Sequence, residues 1–159
     1  MQTLYILCGL PFSGKSLLSK EIEKTTSIKR VSFDDMWDVL KQSDKNITYE
    51  IALKKIEKKL VCELKNNNSV IYDSVNLSSE HRNKLKKLAE EAGAQAIVVY
   101  LKTPVEEIYR RREQSLIDKS HHYLDKKFID KSNERLEIPT DCITISTEKE
   151  KDIFLRSLK

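Results

Sequence analysis

The sequence is poor in the residues that punctuate a chain: three glycines, three prolines and three cysteines in 159 residues. So few breakers exclude a collagen-like, proline-rich or linker-rich architecture. Cys8, Cys62 and Cys142 show no close pairing and no metal-ligand spacing. That argues against a disulfide framework or a zinc site, and for small buried hydrophobes in reducing surroundings. No apolar run approaches membrane-spanning length. The apolar N-terminal stretch has no basic leader and no cleavage site, so it is expected to be a first strand in a cytoplasmic protein. Internal repeats and low-complexity stretches are absent too. What remains is 39% hydrophobic and 34% charged residues with a net charge of +4. This suits a single domain over 1–159 with a lysine-rich solvated surface, compatible with an anionic substrate without establishing one.

Scarcity gives the glycines weight, because two of the three stand five residues apart in Gly9-Leu10-Pro11-Phe12-Ser13-Gly14-Lys15-Ser16. This is the P-loop pattern, and it follows the strand-like run Leu4–Cys8 and precedes a helical one beginning at Leu17. Glycines let successive N–H groups turn inward onto phosphate oxygens, and the following helix N-terminus adds partial positive charge there. Gly9, Phe12, Ser13, Gly14, Lys15, Ser16 and Leu17 are therefore the expected nucleotide-binding residues. Lys15 can reach the β- and γ-phosphates, and the Ser16 hydroxyl can ligate Mg²⁺.

Strand-like and helix-like segments alternate along the rest of the chain. Strands are expected at Lys29–Phe33, Val70–Tyr72, Ala96–Leu101 and Ile143–Ile145. Thr48, Ser78, Thr103 and Thr147 are expected to cap helices. The fold expected is an α/β, three-layer P-loop NTPase sandwich with helices on both faces of a parallel sheet. Such sheets bind ligands at the carboxyl ends of their strands. Asp34 and Asp35 end the second strand there, and Asp73 ends the third. Asp34 is a candidate to take a proton from a phosphoryl acceptor, against the plainer reading of a helix N-cap. Asp73 is a candidate to organise Mg²⁺. Trp37, beside the candidate base, could stack on an acceptor ring or wall an apolar pocket. On a helical wheel Arg112 shares the stripe of Val105, Ile108 and Leu116, whereas Arg110 faces away. A charged lid region spans about 113–137, in which His121 and His122 are expected at the surface.

Gly9–Ser16, Val31–Asp35, Val70–Leu77 with Arg82, and Thr103–Arg111 resemble the kinase domain of phage-type polynucleotide 5′-kinases. They are also similar to the wider group of small P-loop kinases that includes zeta-toxin-like and antibiotic-modifying phosphotransferases. The resemblance implies a five-stranded parallel sheet in the order 2-3-1-4-5, with ATP and Mg²⁺ as cosubstrates. It implies Asp34 as general base and an arginine near Arg111 in the lid; Asp35, Trp37, Asn76 and Arg82 are the candidate substrate-binding residues. Wheel and family differ between Arg111 and Arg112, and both are kept. The arginine that in polynucleotide kinases follows the base and holds the acceptor's phosphate is missing; Met36, Trp37 and Asp38 stand there. Acidic residues also interleave the lid cations, and only Tyr123 and Phe128 accompany them as aromatics.

These features point to an ATP-dependent kinase acting on a hydroxyl of a small molecule or of a nucleic-acid 5′-end, with the compact acceptor favoured. The rival is a nucleotide-binding switch or ATPase that works through a protein partner. Oligomeric state stays open.

Overall fold

The computed structural model describes residues 1–118 and 124–159. In chain order the elements are β1 (Thr3–Cys8), α1 (Lys15–Thr25), β2 (Lys29–Ser32), α2 (Phe33–Ser43), α3 (Tyr49–Lys65) and β3 (Val70–Asp73). They continue with α4 (Ser79–Glu91), β4 (Gln95–Leu101), α5 (Val105–Asp118), α6 (Lys126–Arg135), β5 (Ile143–Ile145) and α7 (Glu148–Ser157). The five strands are parallel and ordered β2-β3-β1-β4-β5, as the resemblance implied.

Strand alternation splits the core into two layers. Leu4, Ile6 and Cys8 of β1 pack with Val31, Tyr72, Val98 and Tyr100 against Ile56 and Leu60 of α3 and Leu85 of α4. Leu7, with Ile71, Val99 and Leu101, faces the opposite way onto Leu18 and Ile22 of α1 and Phe154 of α7. A third, smaller cluster of Leu10, Ile108 and Ile129 anchors α5 and α6 beside the P-loop. Among the described residues no helix is long and apolar enough to cross a membrane.

Local signals account for most boundaries. Thr48 and Ser78 accept from Ile51 N and His81 N, and Thr147 with Glu150 forms a full capping box. Gly93 ends α4 at φ 76°, a conformation its missing Cβ permits. Three expectations need correction. β2 stops at Ser32, whose hydroxyl accepts from Asp35 N, so Phe33, Asp34 and Asp35 form the first turn of α2. α5 begins at Val105, and the Thr103 hydroxyl donates instead to Ser13 O at 3.1 Å, tying α5's approach to the P-loop. Cys62 is exposed on α3, unlike buried Cys8.

Candidate functional site

At the carboxyl ends of the strands lies a cleft of about 1880 Å³. The P-loop forms its floor, α2 and the start of α3 one wall, and α5 and α6 another. The loop's shape depends on two glycines. A Cβ on Gly9 would lie 2.8 Å from Ser13 Oγ and 3.0 Å from Leu101 O, and Gly14 adopts φ 99° as the N-cap of α1. Phe12 between them also has positive φ, at 62°.

Lys15 is buried and curls back over this loop. Its Nζ donates to Gly9 O at 2.9 Å, Leu10 O at 2.6 Å and Ser13 Oγ at 3.2 Å. Burial pulls its pKa down to about 8, against the opposing pull of Asp73. Ser16 and Leu17 line the cleft from the first turn of α1.

Asp73 is buried at the end of β3. Its Oδ2 accepts from Ser19 Oγ at 2.8 Å and from Arg30 Nη2 at 2.9 Å. Asp34 and Asp35 part company: Asp34 lines the cleft, while Asp35 is bound by Arg30 Nη1 at 2.6 Å outside it. Asp34 reaches solvent through the cleft mouth, yet protein atoms displace much of its water. That loss, then the charges of Asp73, Asp35 and Asp38, holds its carboxyl above the ordinary range, with Lys15 pulling the other way.

The wall formed by α2 and the start of α3 is aromatic. Phe33 and Trp37 stack at 6.1 Å with 14° between planes, and Tyr49 tilts against Phe33 at 5.2 Å. Across the cleft, α6 presents Phe128, Lys131 and Arg135. Asn76 adopts φ 46° and donates to Leu7 O at 2.6 Å, and its Oδ1 has no partner among the described residues.

Arg111 sits over the P-loop, Nη1 donating to Phe12 O at 3.0 Å and Nε to Glu107 at 2.8 Å. Arg110 and Arg111 together hold the Glu107 carboxyl down to about 2. Arg112 turns aside to Leu124 O at 2.6 Å. The expected stripe was misplaced by one residue: Ser115, not Leu116, is the buried position one heptad beyond Ile108. That rotation favours Arg111 for the cleft. Arg82 does not line the cleft. It is buried with its guanidinium on the carbonyls of Asn76, Leu77 and Glu137 at 2.8, 2.7 and 2.7 Å, bracing the loop that carries Asn76.

Sequence reasoning missed Arg30, Ser19, Tyr49 and His81. A lone arginine two residues before a strand end carried no signal without the strand register. Lys119, His121, His122 and Tyr123, expected in the lid, lie outside the described residues.

Residues 4–139 match the family model described as AAA domain. The chain belongs to the AAA domain family. Among its relatives, L-seryl-tRNA(Sec) kinase of Methanococcus maripaludis is 31% identical over 117 residues, covering 68% of this chain and 44% of that protein. A chain of the Pnkp1/Rnl/Hen1 RNA repair complex is 27% identical with a TM-score of 0.71, covering 85% of this chain and 44% of its own. This chain thus spans under half the length of both. The Mycobacterium tuberculosis APS kinase CysC, solved with AMPPNP and APS, matches the fold of this AAA domain at TM-score 0.72 and 20% identity. The coverage there is 98% of both chains.

The residues present fit a magnesium nucleotide. The glycine cradle leaves no room for a Cβ at Gly9, and Lys15, the first residue of α1, folds its Nζ back over the loop. Among the described residues no cluster of three or more His, Cys, Asp or Glu could hold a metal by itself. Ser16 and Asp73 would therefore share the ion with phosphate oxygens and water, the usual arrangement for Mg²⁺.

Proposed function

We propose that this protein is an ATP-dependent kinase that moves the γ-phosphoryl group to an acceptor hydroxyl. The observation that carries the reading is Asp34: a carboxyl lining the cleft, with no hydrogen bond or ion pair among the described residues, on the helix facing the P-loop. A switch that releases phosphate to water has no need of such a base at an aromatic-walled acceptor end. In the reaction the acceptor oxygen attacks phosphorus, its proton passes to Asp34, and the bond to the β,γ-bridging oxygen breaks to leave ADP. Bound Mg²⁺ would neutralise charge on the phosphates. Lys15 would swing from the loop carbonyls onto phosphate oxygens, and Arg111 would offset charge on the transferred group.

The acceptor is read as a molecule with a planar ring that lies against Trp37 and Phe33. A nucleic-acid-borne hydroxyl is the second reading. What favours it is that the two relatives above at 27% identity or more both bear RNA in their names, while Lys131 and Arg135 face the aromatic wall. Transfer from labelled ATP should be screened against nucleosides, sugars, antibiotics, 5′-hydroxyl oligonucleotides and seryl-tRNA. A phosphorylated product with a KM insensitive to salt supports the compact acceptor. A KM that climbs steeply with salt, as counterion release demands, supports the nucleic acid. ATP hydrolysis stimulated only by a protein would defeat the kinase reading.

A further inference from the structure

We infer that Arg30 is a positioning residue that clamps the first turn of α2, engaging Asp35 and leaving Asp34 to the acceptor. The inference rests on the reading of Asp34 as the base. Strand register makes the clamp possible. Arg30 pairs with Ile71 and Ser32 with Asp73 across β2 and β3, so period-two alternation puts Arg30 and Asp73 on the same face, under α1. The guanidinium is almost buried there, at 9% side-chain exposure. It joins four elements: Nη2 donates to Asp73 on β3, Nε to Ser19 on α1 at 2.8 Å, and Nη1 to Asp35 on α2, from its own place on β2.

α2 depends on such a tie. No residue of it is fully buried; Phe33 and Met36 pack part-buried against the core, which leaves polar ties a larger share in aiming its first turn. Its other polar anchor at that end is the Ser32 cap on Asp35 N, which fixes where the helix starts but not how its side chains are aimed. Of the carboxyls Asp34, Asp35 and Asp73, Arg30 binds the last two. Asp35 is 63% exposed, so its pair with Arg30 adds little to stability. Aiming the helix is the larger consequence.

Trp37, the sole tryptophan, lies one half-turn beyond Asp35 and reports on α2. Asp35→Asn cuts only the α2 arm of the clamp and leaves the buried Arg30–Asp73 pair whole; Arg30→Gln cuts all arms. Both should shift Trp37 emission and raise its accessibility to a neutral quencher in the absence of any ligand, whereas Asp34→Asn should not. Transfer from labelled ATP to a 5′-hydroxyl oligoribonucleotide should slow about tenfold in Asp35→Asn, the scale of a misaimed group. ATP affinity should stay within about twofold, since the P-loop is untouched. Asp35→Glu, which keeps the charge, should recover both signals. Unchanged Trp37 emission and quenching in Asp35→Asn would overturn the clamp, as would a wild-type rate in that variant. If the wild-type protein phosphorylates no acceptor, the kinase reading fails, and the fluorescence comparison still decides the clamp.

Discussion

The two ends of the cleft are built differently. At the P-loop end the groups that would meet phosphate are backbone amides and a buried lysine, set by two glycines, pressed close to Leu101 and held by Thr103 and Arg111 through hydrogen bonds to Ser13 O and Phe12 O. At the other end, where the proposed acceptor would lie, the contributors are side chains from α2, α3 and α6, drawn from segments that lie far apart in sequence and are mostly part-exposed. The first end is a backbone shape suited to phosphate groups. The second is a set of side chains that can change without disturbing the first. One AAA domain can therefore keep its nucleotide site while the acceptor differs, which is how a shared fold hosts different chemistry.

The sharpest test of this contrast is Lys15→Met. It should abolish phosphoryl transfer and weaken ATP binding, read by labelled-product formation and by titration calorimetry, because no other loop cation can reach the phosphates. Wild-type turnover would dissolve the nucleotide-site assignment. Next in size, Asp34→Asn should slow transfer by about 10²–10⁴-fold, the range of a general base, with ATP binding intact. In the wild type, kcat/KM should fall on acidification at a pH above that of an ordinary aspartate, because the raised Asp34 carboxyl protonates early, and that acid limb should vanish in Asp34→Asn.

Gly9→Ala attacks the first end through its backbone. Leu101 O cannot retreat from a Cβ 3.0 Å away, so ATP affinity should drop about tenfold, the scale of about 1–3 kcal/mol of local strain. Trp37→Ala attacks only the second end. Losing one ring stack worth about 0.5–1.5 kcal/mol should raise the acceptor KM about two- to tenfold and leave the ATP Kd unchanged. An equal loss of ATP affinity would join the two ends that the geometry separates. The mildest effect is on pH. In buffer without divalent cations, ATP affinity should decline as pH rises through about 8, where Lys15 gives up its proton, and this decline should be missing in Lys15→Met.

Much of the nucleotide end was legible because its logic is local. Gly9 to Ser16 are consecutive, and glycine conformation and helix-end charge act over that span whatever surrounds it. Caps at Thr48, Ser78 and Thr147 were legible for the same reason, since each closes within three residues. Ser32 was not read as the cap of α2 because a strand-forming Val31 and an aromatic Phe33 flank it, extending the apparent strand by one residue.

The sequence by itself determined the loop that cradles phosphate, the alternation of strands and helices, and the acids near the strand ends. Only the tertiary structure decided which acid faces the cleft and which arginine overhangs the loop. It likewise turned Arg82 to brace Asn76 and brought Arg30 to both Asp35 and Asp73. The reason is physical: a turn or cap is set by torsions of neighbouring residues, but a side chain's target across strands depends on register. A helix's rotation about its axis depends on what packs beneath it. Shifting the buried position of α5 from Leu116 to Ser115 exchanges Arg112 for Arg111 at the P-loop, and nothing in the chain's local pattern records that choice.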